Sequence, residues 1–226
     1  MNRTTRIMQM HLRDKWSWFL IPSMIVGISF SINLLISLFM TEPLYTGGIA
    51  SVFVYIFVIG ILVVPQTFPL AIGLGTTRGD YYRGTALTGL AFGAMTAIVL
   101  LALGWLERLT DAWGTDFHFF ALPYVAEGNA LAVVAQYFLI YMFLFFWGMF
   151  IASTFRRFGV KSLLYSLLIA IVVGTVAGFL ALRFAWWEAI FEWFATHSLL
   201  VVSLWTLPLT LVLAIAAYGM LRKSVV

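Results

Sequence analysis

The sequence predicts an all-α, polytopic membrane protein with six transmembrane helices, on three observations. The 226 residues are 63% hydrophobic and only 10% charged, with a mean hydropathy of +1.02. An ordinary soluble domain carries about 25% charged residues, so this composition cannot cover a water-soluble surface. The apolar residues fall into long unbroken runs, unlike the short alternating segments of a membrane β-barrel. The charges are excluded from those runs altogether. A disordered chain, which needs low hydrophobicity and high net charge, is ruled out by the same numbers.

Each predicted span meets the requirement of about 20 apolar residues for crossing a bilayer. They are Phe19–Met40, Ile49–Leu74, Thr85–Leu106, Ala130–Thr154, Ser162–Leu182 and Leu199–Leu221, and none contains Asp, Glu, Lys or Arg. A charge at a helix centre costs about 2.5–3.5 kcal/mol on the insertion scale, which explains the exclusion. The first run, behind Arg3, Arg6, Arg13 and Lys15, is longer than a signal-peptide core and lacks a small-residue cleavage site, so it reads as an uncleaved span. The chain therefore divides into a segment 1–18 and a single transmembrane domain 19–226.

Charge sorting gives the orientation. With the N-terminus cytoplasmic, the segments 1–18, 75–84, 155–161 and 222–226 hold every Lys and Arg except Arg108 and Arg183. The other side collects Glu42, Glu107, Asp111, Asp116, Glu127, Glu188 and Glu192. The reading is six spans, N-in and C-in. The net charge of +4 then reflects membrane orientation, not a nucleic-acid partner.

Between the spans, Asn2–Trp18 mixes four cations with Ile7, Met8, Met10, Leu12, Trp16 and Trp18. It reads as an interfacial helix or as a plain basic anchor. The outer segment Glu107–Asn129 is rich in acids and aromatics, among them Trp113, Phe117, Phe119, Phe120 and Tyr124. Arg183–Ser198 places Phe184, Trp187, Phe191 and Phe194 on one helical face and Glu188 and Glu192 on another, the pattern of a short outer amphipathic helix. An aromatic belt is the favoured reading of it over a ligand site. In the inner stretch Gly73–Thr85, Thr76 or Thr77 can cap a short helix. The Arg78-Gly79-Asp80 string faces the cytoplasm on this topology and is no adhesion signal.

No catalytic signature is present: there is no G-x-S-x-G, H-E-x-x-H or Walker A string. The chain has no cysteine, and His11, His118 and His197 are scattered, so no metal site is assigned. Ionisable residues inside a membrane mark proton pathways, and the spans have none. Their polar residues are few. Asn33, Gln66 and Thr67 either line a pathway or hydrogen-bond between helices, the latter being the default. Tyr137 and Tyr141 belong to an aromatic surface of the fourth span that suits lipid, a second protomer or an amphipathic ligand. Pro65 and Pro69 predict a bent or tilted second span. Gly89 with Gly93, and Gly174 with Gly178, form small-residue faces for close helix approach.

Taken together, six N-in spans, a basic interfacial N-terminus and an aromatic segment before the last span resemble the half-size permease subunits of bacterial ABC-2-type ABC exporters. The string Gly75-Thr76-Thr77-Arg78, with Tyr81-Tyr82 and Gly84-Thr85, is similar to the G-x-[ST]-R-x-x-[FY]-[FY]-x-G stretch often found there between spans two and three. Phe68–Ala71 and Asp116–Phe120 look like stretches of one branch of these permeases. Gly79-Asp80 departs from the pattern, in which a second Arg is frequent. The resemblance implies a translocation pathway made by two protomers, homo- or heterodimeric, in the bacterial plasma membrane. It implies separate cytoplasmic ABC ATPase subunits that bind ATP and Mg. Coupling to them would fall to the loop 76–84, through Thr77, Arg78, Asp80, Tyr81, Tyr82 and Arg83. The chain itself would be no enzyme and would hold no cofactor. The alternatives are a substrate-binding membrane subunit of a vitamin or metal importer, a membrane enzyme acting on lipid, and a non-transporting scaffold or immunity subunit.

Overall fold

A computed structural model describes residues 2–123 and 129–224, apart from the side chain of Leu163. Tyr124 and Glu127 lie outside the described residues. Six helices are long and apolar enough to cross a membrane, as expected of a multi-pass membrane protein. They run over Trp16–Ser37, Ala50–Gly73, Arg78–Leu109, Ala130–Phe158, Val160–Arg183 and Leu199–Arg222.

The chain opens with α1 (Arg3–Arg13). Asp14 then leaves helical geometry and its carboxylate accepts the backbone N–H of Ser17 at 3.2 Å, starting the next helix. That helix begins as a π-helical turn, Trp16–Leu20, and continues as α2 (Ile21–Ser37). The helix that carries the first span therefore starts at Trp16, three residues before Phe19. The wider π turn leaves Trp16 exposed and Trp18 buried, stacked on Phe92 with ring centroids 4.7 Å apart.

Next come β1 (Leu44–Tyr45) and α3 (Ala50–Gly73), which runs through Pro65 and Pro69 without interruption. The chain then turns in four residues to α4 (Arg78–Leu109). β2 (Phe117–His118) pairs in parallel with β1, Leu44 opposite Phe117 and Tyr45 opposite His118. The remaining helices are α5 (Ala130–Phe158), α6 (Val160–Arg183), the short α7 (Trp186–Thr196) and α8 (Leu199–Arg222).

Helix α5 is the hub, packed against α3, α4 and α8. Its contact with α3 is backbone on backbone. A Cβ added at Gly60 would collide with the Phe145 carbonyl, and one at Gly148 with the Phe57 carbonyl. Gly89 and Gly93 let α4 approach α5: a Cβ there would lie 2.5 Å from the Phe145 ring and 2.7 Å from Met142 Cε. Gly174 and Gly178 meet no other helix of this chain: a Cβ at either has no atom within 4 Å. They sit on α6, where only Ala181 is buried among the described residues. Helix α7 has no buried residue.

The ends of the helices define two faces. The N-terminal face gathers α1, the start of α4 and the ends of α3, α5 and α8. The opposite face carries the β1–β2 pair and α7.

Candidate functional site

On the N-terminal face, α1 and α4 form one unit. Ile7 and His11, four residues apart and so on one side of α1, are both buried. Ile7 lies over Gly84, where an added Cβ would come within 2.6 Å of Ile7 Cβ and 3.0 Å of the Thr4 carbonyl. His11 Nε2 is 3.0 Å from Thr85 Oγ1. Its ring packs edge-on to Trp18 and tilted against Tyr81. Burial, opposed weakly by the Asp14 carboxylate, lowers the His11 pKa to about 4.

The stretch 76–84, expected as a loop, is mostly the first turns of α4. Thr77 is the N-cap: its hydroxyl oxygen accepts the Asp80 N–H at 3.1 Å and donates to Asp80 Oδ2 at 2.7 Å. Asp80 also suits the positive end of the helix. Hydropathy registers only the charges in this stretch, and the cap marks the helix start. Arg78 Nη1 donates to the Arg222 carbonyl at 2.8 Å, and Tyr82 to the Ala214 carbonyl at 2.7 Å, so both hold α8. Tyr81 is fully buried. Its hydroxyl lies 2.8 Å from Thr67 Oγ1 and donates to the Val63 carbonyl at 3.1 Å. The six residues therefore separate. Thr77 and Arg83 are exposed, Arg78, Asp80 and Tyr82 are half-buried, and Tyr81 ties α4 to α3. The Arg156 guanidinium covers the Phe68 ring at 5.1 Å, and Arg157 contacts Met220 Sδ at 3.3 Å, closing the same face.

The residues singled out as pathway-lining do not converge. Asn33 Nδ2 donates to the Ser29 carbonyl one turn back on α2. Gln66 is exposed, while the neighbouring Thr67 belongs to the Tyr81 cluster. Tyr137 donates to the Phe120 carbonyl at 3.3 Å, and Tyr141 is buried against Gly93. Gln136, not singled out by the sequence, is 2% exposed and its Nε2 has no partner among the described residues.

The best-organised polar site lies at the opposite face and was missed from sequence. Glu107, expected as a loop acid, is within the last turn of α4 and only 1% exposed. Its carboxylate accepts the backbone N–H groups of Phe119, Phe120 and Ala121 at 3.1, 2.7 and 3.2 Å, and the Trp113 indole N–H at 3.3 Å. His118 Nδ1 stands 3.5 Å from it and stacks on Tyr45. To reach this arrangement the chain passes through left-handed φ at Asp111, Ala112, Trp113, Gly114 and Asp116. A signal was available: an acid at a span edge followed within fourteen residues by Trp113 and the Phe117–Phe120 run. No group of three or more metal-ligating side chains occurs among the described residues.

Compared with known protein families, curated proteins and solved structures, the chain finds no match.

Proposed function

We propose that the chain is the membrane-spanning permease subunit of an ATP-driven ABC-2-type exporter, in the bacterial plasma membrane and oriented N-in and C-in. A second protomer completes the pathway, and separate ABC ATPase subunits supply ATP and Mg. The reading rests on the sequence strings quoted above, and one structural observation carries it further. The Ile7–Gly84 contact joins the N-terminal helix to the capped start of α4, so the two elements expected to seat an ATPase form one continuous surface. Contact then falls to Thr77, Arg78, Asp80 and Arg83. Tyr81 acts from the core by positioning the start of α4.

If an ATPase with a Walker A loop is encoded beside this chain, co-purification from cells that express both tests the reading. The wild type should bring the ATPase down and stimulate its turnover. Arg83→Glu, a reversal at an exposed position, should weaken that association while the protein still inserts and purifies as wild type does. A wild-type chain that never retains the ATPase removes the export reading. Because the sequence has no cysteine, a single Cys at the exposed Asp111 position reports orientation. Labelling there only from the cytoplasm overturns the N-in assignment.

A further inference from the structure

A cavity of about 480 Å³ lies between the first and third spans, within the range of about 300–1,000 Å³ typical of ligand sites. The first span leans along α3, and aromatic rings close this cavity at its two ends. At the N-terminal end Trp18 and Phe19 pack on Phe92, with centroids 4.7 and 4.8 Å apart. At the other end Phe30 packs on Trp113 and Phe120, at 4.9 and 5.8 Å. Val52 and Leu100, 4% and 3% exposed, line the cavity between these closures, while Gly27, Met95 and Val99 are exposed on its walls. Among the described residues no charged side chain lines it, and Ser23 and Thr96 are its only hydroxyl side chains.

We propose that this slot binds one acyl chain of a membrane lipid. Apart from Trp113 and Phe120 at its outer closure, the lining lies on the spans, at hydrocarbon depth, where water finds too few polar partners to stay. The dimensions favour a single chain. From Trp18 to Phe30 along the helix is about 18 Å at ~1.5 Å per residue, and one leaflet of a ~30 Å hydrocarbon core is about 15 Å deep. The aromatic closures bound the slot at both ends, which a lipid-facing groove does not need. The inference does not rest on the export reading.

Photolabelling of the full chain tests it. The protein is placed in phosphatidylcholine nanodiscs containing a trace of phospholipid with a diazirine on its acyl chain, irradiated, and mapped by mass spectrometry. Adducts are expected on Val52 and Leu100 as well as on the exposed Ile98. Gly27 offers a clean block, because an added Cβ there meets nothing within 4 Å. Gly27→Trp should cut the Val52 and Leu100 adducts about fivefold or more, a change of roughly 1 kcal/mol, and leave Ile98 labelling unchanged. Val99→Trp, on the facing wall, repeats the test should Gly27→Trp lower the melting temperature. Labelling of Ile98 without Val52 or Leu100 overturns the proposal, as does labelling of those two that neither tryptophan reduces. With photo-methionine in place of methionine, a product joining Met95 to a second copy of the chain also overturns it.

Discussion

His11 Nε2 and Thr85 Oγ1 lie 3.0 Å apart, a buried hydrogen bond that joins the N-terminal helix to the start of the third span across 74 residues of sequence. The imidazole sits against Trp18 and Tyr81, so a proton added to it is poorly solvated. The position on α1 that would otherwise face water or headgroups instead reports whether α1 is docked.

The docking of α1 should weaken in acid. His11 has an ordinary value of 6.5 and a folded value of about 4. Between these the unfolded or undocked segment binds more protons than the docked one, so stability falls as pH drops from about 6.5 and levels off near 4. The full effect is on the order of 3 kcal/mol. Spin-label mobility at a single Cys replacing Gln9, an exposed neighbour on α1, should rise over that window. His11→Gln should flatten the response, and a mobility independent of pH in the wild type would refute the argument.

The span positions were legible because one physical rule governs them: charge is costly in hydrocarbon, and the ends of the runs are charged. What was not legible depends on pairing between distant residues. Neither Gly60 nor Gly148 belongs to a G-x-x-x-G string, and each matters because the other stands opposite. Gly174-x-x-x-Gly178 has the motif and faces nothing within 4 Å. Tyr81 reads as a loop aromatic until the Thr77 cap turns its segment into helix and brings it to Thr67 on α3. Ile7 and His11 could have been paired by their i, i+4 spacing. Their partners Gly84 and Thr85 lie on another helix and carry no matching period.

Glu107 should hold the cap of the opposite face almost by itself. Its removal strands three consecutive buried or half-buried amides and the Trp113 indole. Each such group costs about 1–3 kcal/mol when left unpaired. Glu107→Ala should therefore lower stability by roughly 3–5 kcal/mol, and Glu107→Gln by less, since an amide oxygen still accepts. Limited chymotrypsin digestion of detergent-solubilised protein should show new cuts at Phe117–Phe120 in the Ala variant first. Unchanged protection of that segment in Glu107→Ala would show that the β1–β2 pair and the Phe30 contacts suffice without the carboxylate.

Two glycine substitutions should have opposite consequences, and the less conspicuous glycine should matter more. A methyl group at Gly148 meets the Phe57 carbonyl and comes within 2.8 Å of the Ile61 nitrogen, both backbone atoms of α3 that cannot rotate away. Helices α3 and α5 must separate to admit it, opening the packing around Val64, Phe68 and Phe145 at the centre of the core. Overpacking of this kind costs about 1–3 kcal/mol, and without water to drive helices together the lost van der Waals contact is not regained elsewhere. At Gly174 the same methyl enters open space, and Ala gains up to about 1 kcal/mol in helix propensity over Gly. Thermal unfolding in one detergent should place Gly148→Ala several degrees below wild type and Gly174→Ala at or slightly above it. The reverse order would mean that α6, through its Gly174–Gly178 face, carries a contact stronger than the one between α3 and α5.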